Sequence, residues 1–253
     1  MTLILAAMLV AAGQADSKPA LPYPQAAIIN CQVADSIESL TCRAVEANRL
    51  GRFAEGASLF EQVALKLAPA DPARDRALAA AGNLWLAAGQ LAKAATALDK
   101  ALAGNGLQAE QQGLALLDRA RVAEAQGDLK TARAKVTEAA RTISEDPFLW
   151  FFSAALALRE ENIPAAKSAI NRALAMAPDS AEVLFEAGHI AQAAGEDSQA
   201  RDYWTKAIAA DPRGPTGKAA REALAMTEVP LSVTNQVASQ PDGDGEGGDP
   251  ADH

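Results

Sequence analysis

The chain has 253 residues, 49% of them hydrophobic, with a formal net charge of −9 and two histidines. The acidic balance and the lack of a basic stripe argue against nucleic-acid binding, because phosphate contacts need clustered lysine and arginine. No zinc, phosphate-loop or hydrolase motif is present, so the sequence predicts a protein that is not an enzyme and holds no cofactor or metal.

Residues 1–15 are typical of a short secretory signal peptide. Leu3 to Ala12 form an apolar run of about ten residues, too short to span a bilayer, and Gly13 and Ala15 are small residues before a cut at Asp16. We therefore expect a periplasmic or secreted protein with no stable membrane insertion of the mature chain. No lysine or arginine lies near the N-terminus, so a cytoplasmic protein with a buried or frayed N-terminal helix is the alternative.

A lead-in segment, residues 16–36, contains the first of two cysteines, and the second follows 11 positions later. On one helix, Cys31 and Cys42 would lie about 16 Å apart at a rise of about 1.5 Å per residue. A disulfide needs Cα atoms within about 7 Å, so a bond requires the chain to turn back between them. Asp35, with Glu38 three residues later, predicts a helix start at that point. Two buried thiols are the alternative to a disulfide.

From residue 37 onward, the same pattern of small and large apolar residues returns five times, with a spacing of 34 residues over the last three units and near 38 at the two earlier junctions. The predicted units are 37–70, 75–108, 113–146, 147–180 and 181–214. Position 15 of four units is a glycine, which suits the left-handed end of a helix: Gly51, Gly89, Gly127 and Gly195. The fourth unit departs from this pattern, with Glu161 and Asn162.

Residues 37–214 resemble the tetratricopeptide repeat (TPR) family. The resemblance rests on small residues at positions 8, 20 and 27, where two helices approach closely, and on larger residues at positions 4, 7, 11 and 24. It implies an all-α, right-handed α-solenoid of about five helical hairpins, closed by a polar capping helix at residues 215–227. A bundle of alanine-rich helices with chance periodicity is the alternative.

In this family the concave groove is lined by the first helix of each hairpin, at positions 2, 5, 6, 9, 12 and 13. Transferred to this chain, these positions give an early groove with Asp118 and Glu124 and an aromatic later part. The candidate groove residues are Arg76, Asn83, Arg121, Phe148, Phe151, Phe152, Phe185, His189 and Gln192. The alternative for the phenylalanines is that they fill the core between units four and five.

The resemblance therefore predicts a non-enzymatic adaptor or scaffold that binds a protein or peptide in its groove. The alternative is a structural component that self-associates or joins an envelope assembly. Residues 228–253 contain no lysine or arginine and are rich in glycine and acidic residues, so we expect a disordered acidic tail.

Overall fold

A computed structural model describes residue 31 and residues 35–227. The predicted signal peptide, most of the lead-in segment and the predicted acidic tail lie outside these residues. All regular secondary structure within the described part is helical. The helices are α1 (Ile37–Arg49), α2 (Phe53–Lys66), α3 (Pro72–Ala87), α4 (Leu91–Ala103), α5 (Ala109–Ala125), α6 (Leu129–Ala139), α7 (Pro147–Arg159), α8 (Ile163–Met176), α9 (Ala181–Ala193), α10 (Asp197–Ala210) and α11 (Pro215–Thr227).

The helices pack as five successive hairpins, α1 with α2 through α9 with α10, and each hairpin contacts the next. The first helices of neighbouring hairpins also meet, as α3 with α5 and α7 with α9 do, and α11 packs on the last hairpin. The buried residues form a series of clusters along the stack. This arrangement confirms the predicted α-solenoid. None of the described helices is both long and apolar enough to cross a membrane.

Close approach within a hairpin depends on the small residue at position 8. A Cβ atom added to Gly188 would overlap the indole of Trp204, and one added to Gly82 would overlap the side chain of Leu98. Trp204 and Leu98 are both fully buried. Trp204 and Leu98, both at position 24, are therefore accommodated where the facing helix has a glycine, as the repeat pattern predicts.

The four predicted hairpin glycines adopt the left-handed conformation, with φ between 70° and 83°. Glu161 occupies the same place in the fourth hairpin with φ of 57°. A residue with a Cβ atom is disfavoured there by about 1–2 kcal/mol relative to glycine. The fourth hairpin therefore makes the same turn as the others at a conformational cost, and α8 then begins with Pro164 in its first turn.

We expect the substitution Glu161→Gly to raise the free energy of unfolding by about 1 kcal/mol, because it removes the strain of a left-handed non-glycine residue. Urea denaturation monitored by far-ultraviolet circular dichroism measures this change. The reciprocal variant Gly195→Ala is the control and should lose about the same amount. Equal stability of Glu161→Gly and the unmodified chain would contradict the expectation.

The first helix begins at Ile37, where the first predicted unit begins, but its cap lies one residue after the predicted one. Ser36, not Asp35, is the N-cap residue, and its hydroxyl accepts a hydrogen bond from the Ser39 amide at 3.1 Å. Asp35 has φ of 50° and therefore lies in the turn before the cap. The predicted cap at Asp35 was wrong by one position, because Ser36 has the extended backbone of an N-cap residue and binds the Ser39 amide, whereas Asp35 has a positive φ.

Cys31 and Cys42 form a disulfide, with their Cα atoms 5.6 Å apart. The chain turns back between them at residues 35–36, so that Cys31 lies beside α1 and not on it. The Ser39 hydroxyl also donates a hydrogen bond to the Cys31 carbonyl at 3.2 Å. One covalent bond and one hydrogen bond therefore fix residue 31 against the first helix.

Candidate functional site

The concave face of the solenoid contains a groove of about 500 Å³ along the first helices of the first three hairpins. α1, α3 and α5 form its floor and sides, and the start of α7 closes one end. Its lining residues are Val45, Asn48, Phe60, Arg76, Ala79, Ala80, Asn83, Leu84, Leu107, Gln111, Leu114, Ala115, Leu117, Asp118, Arg121, Asp146 and Phe148. We refer to this surface as the groove.

Three polar side chains form a network across α3 and α5. The Asn83 amide donates to the Asp118 carboxylate at 2.8 Å, and the Arg121 guanidinium donates to the other oxygen of the same carboxylate at 3.0 Å. Burial raises the pKa of Asp118, while the charge of Arg121 and the two hydrogen bonds oppose that rise. Because α3 and α5 belong to different hairpins, the network holds the two helices that form the groove at a fixed separation.

The groove lining contains two arginines and two aspartates, and the exposed charge among them is that of Arg76. Arg76 is exposed and makes no ion pair with any described residue. Asp146 instead caps α7 and accepts a hydrogen bond from the Phe148 amide at 2.8 Å. Asp118 accepts hydrogen bonds from Asn83 and Arg121. The Nε atom of Arg121 is buried without an acceptor among the described residues. The guanidinium of Arg76 is therefore available to an anionic group of a ligand.

Apolar side chains face the same space. Val45 and Leu114 are 56% and 44% exposed, which is high for large hydrophobic residues of a folded protein. The Phe148 ring lies at the α7 end with the Arg121 guanidinium 5.4 Å from its centroid. A ligand with apolar groups would therefore bury Val45, Leu114 and part of Phe148.

The groove brings together four of the nine predicted groove residues, namely Arg76, Asn83, Arg121 and Phe148. The other five do not line it: Phe151, Phe152, Phe185, His189 and Gln192. The open aromatic surface expected in units four and five is absent from the described residues, because packing between hairpins covers most of these rings.

Phe152 and Phe185 are core residues, with only 3% and 5% of their surface exposed. Phe152 packs with the interior of the third and fourth hairpins, and Phe185 packs with the last hairpin and α11. The prediction that they line an open groove was wrong, since the stacking of successive hairpins covers them. Phe151 is half-buried against the core of units four and five, with its ring 5.7 Å from that of Phe148.

His189 and Gln192 lie further along α9. The His189 ring makes edge contacts with the rings of Phe185 and Trp204, at 4.4 and 5.5 Å between centroids. Burial lowers the pKa of His189, which favours the neutral imidazole. Gln192 is exposed but is remote from the groove lining. His189 therefore acts as an aromatic packing residue.

Glu124, which the repeat positions also assign to the groove, is buried on α5 and forms an ion pair with Arg159 of α7. It therefore joins two hairpins and is not available to a ligand.

Six further lining residues stand at the repeat positions that define the groove but were not predicted, and three of them are the small or buried residues Ala79, Ala80 and Leu117. Val45 and Asn48 occupy positions 9 and 12 of the first unit, and Leu114 occupies position 2 of the third. The same repeat positions that select Arg76 and Asn83 select these residues. Gln111 and Asp146 precede the starts of the third and fourth predicted units, so no position of those first helices identifies them.

The chemistry of the groove is that of binding. It combines amide, guanidinium and apolar groups, and its carboxylates are held by neighbouring side chains or backbone. In the part of the chain that the structure describes, no group of three or more histidine, cysteine, aspartate or glutamate side chains is placed to hold a metal ion.

No protein-family sequence model matches this chain, and no curated protein sequence matches it. Several solved structures, however, are similar to it in fold. YrrB, described as a TPR protein with an unusual peptide-binding site, has a TM-score of 0.55 and 18% identity, over 74% of this chain and 92% of that chain. PilW, described as a widely conserved type IV pilus biogenesis factor, has a TM-score of 0.63 and 18% identity, over 73% and 82%.

TTC0263, a TPR protein of Thermus thermophilus, has a TM-score of 0.54 and 20% identity, over 76% of this chain and 98% of that chain. These matches cover most of this chain and most of each matched structure. Together with the five hairpins, the left-handed turns and the small residues between helices, they establish the architecture. The fold of this chain is that of the tetratricopeptide repeat proteins.

Proposed function

We propose that this chain is a non-enzymatic scaffold that binds a short segment of another protein in the groove between α1 and α7. The observation that carries the proposal is one concavity that combines two exposed apolar side chains, Val45 and Leu114, with Arg76, which pairs with no described residue. The volume of about 500 Å³ lies within the range of sites that enclose small ligands, so the groove accommodates a few side chains of a partner.

The groove also indicates the chemistry of the bound segment. An apolar side chain would cover Leu114 and Val45, and an acidic side chain or terminal carboxylate would approach Arg76. The network of Asn83, Asp118 and Arg121 is formed within the chain itself, so these side chains present a preformed surface. A preformed surface lowers the entropy cost of ordering side chains when a partner binds. The peptide-binding site named for YrrB supports this reading by analogy of fold.

We further propose that the chain acts outside the cytoplasm, in the periplasm of a bacterium or after secretion. The disulfide between Cys31 and Cys42 supports this, because such bonds persist mainly in oxidising compartments. The signal-like residues 1–15 support it as well. Cell fractionation and N-terminal sequencing test the proposal, and we expect a periplasmic protein that begins at Asp16. An intact N-terminus in the cytoplasmic fraction would argue for the cytoplasmic alternative.

The binding proposal predicts that peptides selected from a random phage-displayed library by the mature chain lose affinity for the variant Leu114→Asp. We expect a dissociation constant at least tenfold higher by fluorescence polarisation, because a charge replaces an apolar contact in the groove. Arg76→Glu should weaken selectively those peptides that carry an acidic residue.

Matched controls are available on the same chain. Leu65 is 82% exposed on α2 and does not line the groove, so Leu65→Asp should leave the affinity unchanged. Arg141→Glu makes the same change of charge as Arg76→Glu, but at an exposed residue that does not line the groove. If Leu114→Asp and Leu65→Asp weaken binding equally, or if the selected peptides ignore all four variants, the groove is not the binding site.

A further inference from the structure

A second concavity, of about 590 Å³, lies along α1, the first of the described helices. The disulfide between Cys31 and Cys42 forms part of its wall, and Ile37, Thr41 and Val45 also line it. The Thr41 hydroxyl is satisfied within the helix, because it donates to the Ile37 carbonyl at 2.8 Å. The lining is therefore mostly apolar. We refer to this surface as the disulfide pocket.

The disulfide pocket continues the face of the solenoid on which the groove lies. Glu38, Thr41, Cys42 and Val45 occupy positions 2, 5, 6 and 9 of the first unit, which are positions of the concave side. Val45, which is 56% exposed, lines both the disulfide pocket and the groove. A segment that lies in the groove and continues along α1 towards its first turn therefore meets the disulfide pocket.

The exposed charge of the disulfide pocket is opposite to that of the groove. Glu38 is exposed in the first turn of α1 and makes no ion pair with any described residue. Hydrogen bonds from its own amide and from the Ser36 hydroxyl lower the pKa of Glu38, so it is a carboxylate at neutral pH. Glu46, by contrast, accepts two hydrogen bonds from the Arg49 guanidinium, at 2.6 and 2.8 Å. The unpaired charge is therefore negative beside the disulfide and positive at Arg76 in the groove.

We infer that the disulfide pocket is a second subsite of the binding surface, and the inference rests on the function proposed for the groove. The subsite takes an apolar side chain of the bound segment against the disulfide and Val45, and a basic side chain next to it pairs with Glu38. The opposite charges of Glu38 and Arg76 then set the direction in which the segment lies. The partner is a segment whose basic and acidic residues are separated by apolar ones.

The disulfide has a defined role in this subsite. The other lining residues all belong to α1, and one helix alone does not enclose a pocket. Cys31 supplies the opposing wall, where the bond to Cys42 and the Ser39 hydroxyl, which donates to the Cys31 carbonyl at 3.2 Å, hold it in place.

The substitution Glu38→Lys tests the subsite with the peptides that the mature chain selects from the phage-displayed library. We expect the peptides that carry a basic residue to bind about fivefold more weakly by fluorescence polarisation. Replacing that basic residue with glutamate should restore their affinity for the variant. Glu110→Lys is the matched control, because Glu110 is also the exposed second residue of a helix but lines neither concavity.

The outcomes separate this inference from the proposed function. If Leu114→Asp weakens binding but Glu38→Lys acts no differently from Glu110→Lys, the groove remains the binding site and the subsite is overturned. If neither Leu114→Asp nor Glu38→Lys weakens binding, the proposed function fails as well.

A photo-crosslinking residue at position 41 identifies the occupant directly. We expect it to crosslink to a selected peptide, whereas the same residue at position 65 on α2 should not. Crosslinks from position 41 to another part of the same chain or to a second copy, in place of the peptide, would reveal a different occupant and overturn the inference. Crosslinks of the peptide from position 114 and none from position 41 would overturn it too, and would leave the groove as the binding site.

Discussion

Replacing Arg159 with methionine is expected to lower the free energy of unfolding by about 3 kcal/mol at neutral pH. Arg159 on α7 pairs with Glu124 on α5, whose side chain is only 3% exposed. The second oxygen of Glu124 has no hydrogen-bond partner among the described residues, so Arg159 provides most of the compensation for this buried charge. The variant leaves a buried carboxylate without a counter-ion, and chemical denaturation at pH 7 measures the loss.

A double variant separates the cost of the orphaned charge from the loss of packing by the long arginine side chain. In Glu124→Gln, Arg159→Met no charge remains at the site, so we expect most of the stability to return. Arg141→Met removes an exposed arginine with no ion pair to any described residue and should be nearly neutral. A double variant as unstable as Arg159→Met alone would show that the ion pair is not the cause.

The stability of the chain is expected to fall by about 3 kcal/mol between pH 4.5 and pH 8 through the titration of Glu186. This glutamate on α9 is 8% exposed, one of its oxygens lacks a hydrogen-bond partner in the described part of the chain, and burial raises its pKa to about 7. The pKa of Glu186 is higher in the folded state than in the unfolded state. At pH values between these two pKa values, the folded state therefore keeps a proton that the unfolded state has lost. Raising the pH through this window therefore favours unfolding.

The substitution Glu186→Gln tests this dependence, because glutamine has nearly the same shape and does not ionise. Thermal or urea denaturation from pH 4.5 to 8 should show a variant that is more stable than the unmodified chain at pH 8 and similar to it at pH 4.5. Glu182→Gln changes an exposed glutamate of the same helix and should keep the original pH dependence. The expectation fails if Glu186→Gln and Glu182→Gln show the same profile.

The candidate site was predictable where helix positions decide it. Arg76 and Asn83 lie on the concave side because α3 presents positions 2 and 9 there, and the same rule contains Val45 and Leu114. The rule failed for Phe185. A repeat position specifies the direction in which a side chain points from the helix axis, but not whether the next helix covers that side chain. The contacts of α10 and α11 bury that side chain.

The solenoid architecture follows from the amino-acid sequence alone. A period of 34 residues specifies where each helix stops, and the left-handed glycines and small facing residues specify how each hairpin closes, because these are local or nearest-neighbour constraints. Which surface stays open depends instead on packing between residues far apart in the chain. The network of Asn83, Asp118 and Arg121 joins two hairpins, and stacking buries Phe152 and Phe185, so the groove lies in the first three hairpins and not in the aromatic region.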